Sequence, residues 1–375
     1  MRRGLWTVPA LLAALGLVGC LGGGSDITAV RVAGDSLADA GTFGFKFTVQ
    51  ATSPSRTRIW ADAVADAADV DPLCPRYAGD PTTGQVALRA NAASCTSFAV
   101  GGGRINVRGT SGDATPYAIP QQLRDMAAAG YGARDIVLVD GGGNDLADLV
   151  GAFLAAGSDG ASSYTALLSE LLSPDQVGSA AAAGSAGLVH AGGLYMAALA
   201  DRLVDTIQTQ VLDKGARRVV VINAPDVTRT PRFAAVLAAV SASAGEQAAA
   251  QVVVAARAWL DAFNGRLAQR LAGNSQVALV DFRGELDKWL NNPSAYGLTN
   301  TTTPACPATG TDAQGLPTYN LATCTEAVLA AQPPAGASGT WWNTYVFSDN
   351  FHGTPRTNEL MGALVTQTLV ARGWL

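Results

Sequence analysis

The stretch AAAGYGARDIVLVDGGGND, residues 127–145, contains a pattern that recurs along this chain: a helix-like run, a glycine and a short apolar strand. A run of alanines ends on Gly130, which suits the left-handed residue that closes a helix. The apolar run Ile136–Val139 follows, and continuous branched side chains are typical of a strand that is buried on both faces. We therefore predict a strand over residues 135–140 and a glycine-rich loop directly after it.

The same pattern recurs twice further along the chain. VLDKGARRVVVINAPD predicts a strand near residues 218–223, and RLAGNSQVALVDF predicts one near 276–282. A strand before Ser36 and a short one near residues 96–100 bring the total to about five. Strands that alternate with helices indicate an open parallel sheet with helices on both faces. One intervening helix is predicted from apolar side chains at spacings of three and four: Met196, Leu199, Leu203, Ile207 and Val211.

Composition bounds the class of protein. The chain has 375 residues, of which 48% are hydrophobic and 15% charged, so it can bury a sizeable core. The net charge is −5 and no dense stripe of lysine and arginine is present, which argues against a nucleic-acid partner. We expect one domain over residues 27–375. Residues 151–190, rich in Ala, Gly and Ser, are a candidate helical insertion, and residues 291–345 are expected to form a long loop.

Residues 1–20 have the pattern of an export signal. Two arginines precede the apolar stretch Leu5–Val18, which is shorter than the roughly 20 residues of a membrane span. The sequence LVGC that follows resembles a bacterial lipobox, so Cys20 would be lipidated and residues 21–26 would be a flexible tether. The lipid would anchor the chain in the envelope of a Gram-negative bacterium; an ordinary signal peptide and secretion are the alternative.

Four further cysteines remain: Cys74, Cys95, Cys306 and Cys324. An even number in an exported chain favours two disulfides, and three connectivities are possible. We favour the local pairs, Cys74 with Cys95 and Cys306 with Cys324, because each would staple a loop. A zinc site is the competing interpretation, but the chain has no C-x-x-C motif and only two histidines.

The two histidines differ in their surroundings. An ester hydrolase needs a nucleophile, a base and a group that orients the base. His190 stands among glycine and apolar residues, and we expect it to start a helix or to pack. His352 stands three residues after Asp349, a spacing that can bring the carboxylate to the imidazole. Ser36, in VRVAGDSLADAG after a strand, is a candidate nucleophile, although Gly-Asp-Ser turns are common.

Two glycine-rich loops follow predicted strands. SFAVGGGRIN contains Gly101–Gly103, and LVDGGGNDLADL contains Gly141–Gly143 followed by Asn144. Neither has the spacing of a phosphate-binding motif. Glycine lets a backbone N–H approach a ligand closely, and the amide of Asn144 offers two donors. Together the loops are candidates for the donors of an oxyanion hole.

Four of these segments resemble, in the same order, the sequence blocks of the GDSL or SGNH hydrolases: GDSLADAG, FAVGGGR, GGGNDL and DNFH. INAPDVTRTP, FNGRL and NPSAYGLTNTTTPAC are also similar to segments of the secreted and autotransported bacterial esterases of that family. The resemblance implies a three-layer α/β/α, flavodoxin-like fold. The chain departs from the family pattern at Ser97, where the family has Asn, and at Gly353, where it has Pro; the glycine could loosen the histidine loop.

The resemblance also implies a role for each candidate residue. Ser36 would be the nucleophile, His352 the base and then the acid, and Asp349 the group that orients the imidazole. The oxyanion hole would comprise the backbone N–H groups of Ser36 and Gly102 and the side-chain amide of Asn144. No metal and no other cofactor is expected.

The expected activity is that of a serine carboxylic-ester hydrolase, acting through an acyl-enzyme on short- to medium-chain acyl esters. A (lyso)phospholipase and a carbohydrate O-acetyl esterase are alternatives within the class, and Trp341 and Trp342 would either stack a sugar or pack beside the site. Residues 151–190 could form an apolar wall for the acyl group. An envelope lipoprotein that binds acyl ligands without catalysis is the alternative from another class.

Overall fold

The computed structural model of the chain describes residues 26–109 and 112–375. The expected signal peptide, Cys20 and nearly all of the expected tether lie outside the described residues. In chain order the strands are β1 (Val30–Ala33), β2 (Tyr77–Gly79), β3 (Val86–Leu88), β4 (Ile136–Val139), β5 (Arg218–Ile222), β6 (Val277–Val280), β7 (Gly310–Thr311) and β8 (Pro317–Thr318). The helices are α1 (Trp60–Ala67), α2 (Ile119–Ala129), α3 (Gly143–Asp159), α4 (Ser162–Leu168), α5 (Pro174–Ala182), α6 (Gly184–Ile207), α7 (Pro231–Ala244), α8 (Glu246–Leu271), α9 (Phe282–Asn291), α10 (Glu326–Ala331) and α11 (Pro355–Ala371).

A four-stranded parallel sheet forms the centre of the fold. Strands β1, β4, β5 and β6 lie side by side in that order, and each neighbouring pair is parallel. Because parallel strands end at the same edge, the loops after β1 and β4 are neighbours. In open sheets of this kind, ligands bind beyond the carboxyl ends of the strands.

The expected fifth strand, near residues 96–100, is shorter than predicted. It pairs with β1 through an isolated parallel bridge between Ser97 and Val32, with hydrogen bonds from Val32 N to Thr96 O and from Phe98 N to Val32 O. The glycine turn at Gly101–Gly103 ends this pairing before a regular strand can form. The central sheet therefore has four full strands and one bridged segment at its β1 edge.

Helices cover both faces of the sheet, which explains the unbroken apolar runs of its strands. Ile136 and Leu138 of β4 pack with side chains of α1, α9 and α11. Val137 and Val139 of the same strand pack with side chains of α2, α3, α6 and α8. Successive side chains of a strand point to opposite faces, so both faces must be apolar when both are covered.

The predicted helix face and helix ends are confirmed. The five apolar side chains from Met196 to Val211 are all buried in the core on the α6 side of the sheet. Helix α6 ends at Ile207, and a single π-helical turn, Gln208–Leu212, carries the last of these residues. Gly130, the residue after α2, has a φ of +81°, as expected for a helix-closing glycine.

Two regions lie outside the regular alternation of strands and helices. Residues 151–190 form the second half of α3, then α4, α5 and the start of α6. Residues 291–345 hold only short elements, and they pack around a small third core that includes Val49, Leu329, Trp341 and Trp342.

The structure contains both local disulfides, Cys74–Cys95 and Cys306–Cys324. Each one joins segments of irregular backbone, and Cys306 and Cys324 are buried in the small third core. Disulfides of this kind are typical of exported proteins. None of the helices in the described ranges combines the length and apolar character needed to cross a bilayer.

Candidate active site

The turn after β1 brings Ser36 to the loop before α11, although 316 positions separate Ser36 from His352 in the sequence. Ser36 Oγ lies 2.7 Å from Nε2 of His352, and Nδ1 of the same ring lies 2.8 Å from Oδ2 of Asp349. All three side chains are largely buried. The result is a continuous hydrogen-bonded relay from a carboxylate through an imidazole to a hydroxyl.

Asp349 is held by the loop that it helps to fold. Its Oδ1 accepts the backbone N–H groups of Phe351 and His352, each at 2.7 Å. Burial opposes ionisation of this carboxyl, but the charge of His352 and the hydrogen bonds outweigh burial and lower the pKa of Asp349. Asp349 is therefore a carboxylate at neutral pH, and it can fix the orientation of the imidazole.

The pKa of His352 is shifted in the opposite direction to that of Asp349. Burial lowers its pKa, but the charge of Asp349, the hydrogen bond that the ring donates to that carboxylate and the charge of Asp35 outweigh burial, so the pKa of His352 is raised overall. A higher pKa makes the neutral ring a stronger proton acceptor. The ring also packs against Phe47, with 4.9 Å between the two ring centroids.

The histidine loop is well bonded at Gly353, where the family resemblance suggests proline. Ser348 donates its backbone N–H to His352 O at 2.7 Å and its hydroxyl to Gly353 O at 2.9 Å. Asn358 of α11 donates to Gly353 O at 3.2 Å. A Cβ at Gly353 would lie 2.8 Å from Cγ2 of Thr357, so the glycine lets α11 pack closely against the loop. The carbonyl oxygen of Gly353 thus accepts hydrogen bonds from both Ser348 and Asn358.

The three residues expected to supply the oxyanion donors, Ser36, Gly102 and Asn144, all line one cavity. Among the hydrogen bonds of the described residues, none uses the backbone N–H of Ser36 or of Gly102. The amide nitrogen of Asn144 donates to Gly103 O at 3.0 Å, which fixes the orientation of the side chain. Gly102 has a φ of +81°, a conformation that favours glycine.

The first glycine loop lies directly against the serine turn. A Cβ at Gly103 would lie 2.6 Å from the carbonyl oxygen of Gly34, so no larger residue allows this approach. Asp145, at the start of α3, accepts the backbone N–H groups of Ile105 at 3.0 Å and Asn106 at 2.9 Å. Burial raises the pKa of Asp145 to about 7 even though these N–H groups oppose the rise. Asp145 thus joins the two glycine loops.

The carboxyl groups of Asp35 and Asp140 are also buried at the Ser36 turn. Asp140, the first residue after β4, accepts the backbone N–H of Asp35 on Oδ1 at 3.2 Å. Its Oδ2 has no hydrogen-bond partner among the described residues. Burial, reinforced by the charge of Asp35, raises the pKa of Asp140 well above its ordinary value. A Cβ at Gly34 would lie 1.4 Å from Asp140 Oδ1, so the glycine is what makes room for this carboxyl.

Gln122 of α2 and Asp140 were both absent from the expectations drawn from the sequence. Gln122 accepts the backbone N–H of Gly34 at 2.8 Å and donates to Gly34 O at 3.0 Å, so it holds both backbone groups of that residue. No local motif marks either side chain, because their partners are 88 and 105 positions away. For Gln122, the sequence signal that could have revealed it is a polar side chain within the apolar face of α2.

The relay opens into a cavity of about 760 Å³ with mostly apolar walls. Helix α3 forms one wall and α7 another. Within residues 151–190, all of which the structure describes, only Gly151 and Leu154 line this cavity. Helices α4 and α5 pack against α3 and α6 instead. The apolar wall expected from residues 151–190 is thus supplied mainly by α7 and by the first part of α3.

The other candidate residues lie elsewhere. Trp341 and Trp342 are buried in the third core, where Trp341 Nε1 donates to Leu329 O at 3.0 Å, so they are packing residues. His190 is exposed on α6, beyond its first turn. Over residues 26–109 and 112–375, no group of three or more His, Cys, Asp or Glu side chains is arranged to hold a metal ion.

Comparison with protein-family models matches residues 30–365 to the family described as GDSL-like lipase/acylhydrolase. The chain belongs to this family. It is a hydrolase of ester bonds. A solved structure similar to this GDSL-family chain is that of an extracellular lipase from Streptomyces rimosus, which is 16% identical. That match covers 80% of this chain and 97% of the lipase, with a TM-score of 0.36. A search of curated proteins finds no match.

Proposed function

We propose that the chain hydrolyses short- to medium-chain carboxylic esters through an acyl-enzyme formed on Ser36. The observation that carries this proposal is the relay Asp349–His352–Ser36, whose hydroxyl end opens into a mostly apolar cavity. The hydroxyl and imidazole are within hydrogen-bond reach, and a carboxylate holds the imidazole from its other side. This is the arrangement that activates a serine nucleophile.

The first half of the reaction forms the acyl-enzyme. Ser36 Oγ attacks the ester carbonyl carbon while its proton passes to Nε2 of His352, and Asp349 stabilises the imidazolium at Nδ1. The carbonyl oxygen becomes an oxyanion, which the N–H groups of Ser36 and Gly102 and the amide of Asn144 stabilise. Each such donor typically contributes about 2.7–4 kcal/mol to the transition state. The bond to the alcohol oxygen then breaks, and His352 returns its proton to the departing alcohol.

The second half releases the acid. A water molecule gives a proton to His352 and attacks the acyl carbon of the Ser36 ester, which generates a second oxyanion in the same place. Collapse of this intermediate breaks the bond to Ser36 Oγ, and His352 returns the proton to the serine. The products are the carboxylic acid and the free enzyme.

The setting of this reaction is proposed from the N-terminal sequence. The pattern before Cys20 supports lipidation of that residue, and the two disulfides are in keeping with an oxidising compartment. A lipid on Cys20 would hold the enzyme at the membrane surface of a bacterial envelope, near lipid-derived esters. Burial of Trp341 and Trp342 away from the cavity weakens the carbohydrate-esterase alternative.

The proposal is tested by comparing the mature protein with its Ser36→Ala variant on p-nitrophenyl butyrate. Removing the nucleophile should lower kcat by about 10⁴-fold or more. Ser158→Ala is a matched control, because this exposed serine on α3 bonds only to the helix backbone at Ala155 O. Equal, near-background rates in folded wild type and Ser36→Ala would refute catalysis and support an acyl-binding lipoprotein.

A further inference from the structure

The apolar part of the cavity runs along two helices that begin at the site. On α3, Asn144 belongs to the oxyanion donors, and Val150, Gly151 and Leu154 line the cavity one and a half to three turns later. At a rise of about 1.5 Å per residue, Leu154 lies roughly 15 Å beyond Asn144 along the helix axis. We call the space along this face the α3–α7 trough.

Helix α7 forms the opposite side of the trough. Its first turn is tied to the catalytic loop, because Arg232 donates its backbone N–H to Asn350 O at 2.9 Å. Val236, Ala239 and Val240 follow along the face that lines the cavity. The trough therefore starts beside Asp349 and His352 and continues away from them between two apolar helix faces.

Charged groups are confined to the end of the trough near the site. Arg104 lines the cavity there, but its guanidinium donates to both oxygens of Asp148, at 2.6 and 3.0 Å, so the two charges offset each other. Arg232 and Phe233, in the first turn of α7, also line this end of the cavity, and the guanidinium of Arg232 lies 3.7 Å from the carboxylate of Asp312. Farther along the two helices the wall is formed by aliphatic side chains, alanine and glycine, with Ser243 at the far end of α7. A linear hydrocarbon chain whose ester carbonyl lies at Ser36 is the ligand chemistry that fits such a wall.

Gly151 leaves open space at the middle of the trough. A Cβ built at this position meets no heavy atom within 4 Å, so nothing in the fold occupies the space in front of it. Gly151 is seven residues, or roughly 10 Å, from Asn144 along α3. With carbon–carbon bonds of about 1.5 Å, an extended chain advances about 1.3 Å per carbon, so about eight carbons reach Gly151 and about twelve reach Leu154.

We infer that the α3–α7 trough binds the acyl chain of the substrate, and that the missing side chain at Gly151 lets chains longer than about eight carbons pass. This inference rests on the proposed function of Ser36 and assigns the acyl group as medium-chain, up to about twelve carbons. Each methylene that enters the trough should raise kcat/KM by up to about fourfold.

The test is a series of p-nitrophenyl esters from acetate to palmitate with wild type, Gly151→Phe and Gly157→Phe. Gly157 is a matched control, because it lies on the same helix, also has open space at its Cβ and does not line the cavity. We expect kcat/KM of the wild type to rise to about decanoate or dodecanoate. Gly151→Phe should keep butyrate hydrolysis within about twofold and lose at least about tenfold on dodecanoate, whereas Gly157→Phe should follow the wild type.

A binding measurement separates this inference from the proposed function. Dodecanoate binding to Ser36→Ala, followed by calorimetry, needs no turnover, and adding Gly151→Phe should weaken it at least about tenfold. A wild type that hydrolyses no ester, with dodecanoate binding still weakened by Gly151→Phe, would refute the catalytic role and leave the trough in place. The trough inference is overturned if Gly151→Phe lowers all chain lengths equally, or leaves both the ester profile and dodecanoate binding unchanged.

Discussion

Two buried carboxyl groups flank the Ser36 turn, and they have opposite ionisation. Asp349 receives the His352 ring on one oxygen and two backbone N–H groups on the other. Asp140 receives one backbone N–H, from Asp35, and its second oxygen has no hydrogen-bond partner among the described residues. Both groups lie at the carboxyl edge of the sheet, so their location alone does not distinguish them.

The difference in partners determines the charge of each group. Burial disfavours both carboxylates, but His352 outweighs burial at Asp349, whose pKa is lowered. At Asp140 burial and the charge of Asp35 outweigh the opposing backbone hydrogen bonds, so its pKa is raised well above the ordinary value. Burial also raises the pKa of Asp35, although the N–H of Leu37 and the charges of His352 and Arg104 oppose the rise. The comparison therefore makes Asp349 the anion of the relay and Asp140 a neutral support for the serine turn.

Of the changes to these carboxyl groups, neutralising Asp349 should have the largest effect. Asp349→Asn retains an oxygen for the N–H groups of Phe351 and His352, but it offers no charge to stabilise the imidazolium and can hold the ring in the wrong tautomer. We expect kcat on p-nitrophenyl butyrate to fall by about 10⁴-fold with KM little changed. A decrease of less than tenfold in a variant with an unchanged circular-dichroism spectrum would show that the charge of Asp349 is dispensable.

Asp349 was predictable from the sequence because its partner is local. A spacing of three residues to His352 is enough for one loop to bring carboxylate and imidazole together, and the structure has that contact. Ser36, Gly102 and Asn144 were also foreseeable as neighbours, since each follows an apolar run and parallel strands end at one edge. The buried parallel strands themselves were predicted to within about two residues at each end.

Asp140 was not predictable, because every contact that matters to it is distant in sequence. Its place depends on the missing side chain of Gly34 and on the turn at Asp35, which follow another strand, β1. The walls of the trough were also not predictable. The alanine-rich sequence of α7 predicts a helix, but it does not indicate which face of that helix lines a cavity. The segment near Ser97 was overpredicted, because an apolar run does not reveal that a glycine turn cuts short its pairing.

A smaller effect is expected at Asp140. Two substitutions distinguish the role of its hydrogen-bond acceptor from the role of its ionisable proton. Asp140→Ala removes the acceptor for the Asp35 N–H and should shift the serine turn, which lowers kcat by about 10- to 100-fold. Asp140→Asn keeps an acceptor oxygen and resembles the neutral acid, so its kcat should stay within about threefold of the wild type. Steady-state kinetics with thermal unfolding as a control would check both; an equal loss in the two variants would show that Asp140 acts through its ionisable proton.

The smallest effect is a change in the pH dependence. His352 accepts a proton only when neutral, so kcat/KM should fall as the pH drops through its pKa, which is raised above the ordinary histidine value of about 6.5. The charges that face this ring are Asp349 and Asp35, and Arg104 acts on Asp35. Asp35→Asn removes one of the two anions while keeping an acceptor for the Leu37 N–H, so the acid limb of the profile should move to lower pH.

Asp66→Asn serves as the control for this shift, because it removes the same charge from an exposed position on α1, where Asp66 pairs with Arg58. Its acid limb should match that of the wild type in pH–rate profiles measured at constant ionic strength. If Asp35→Asn leaves the limb in place, Asp35 carries no charge in the active enzyme.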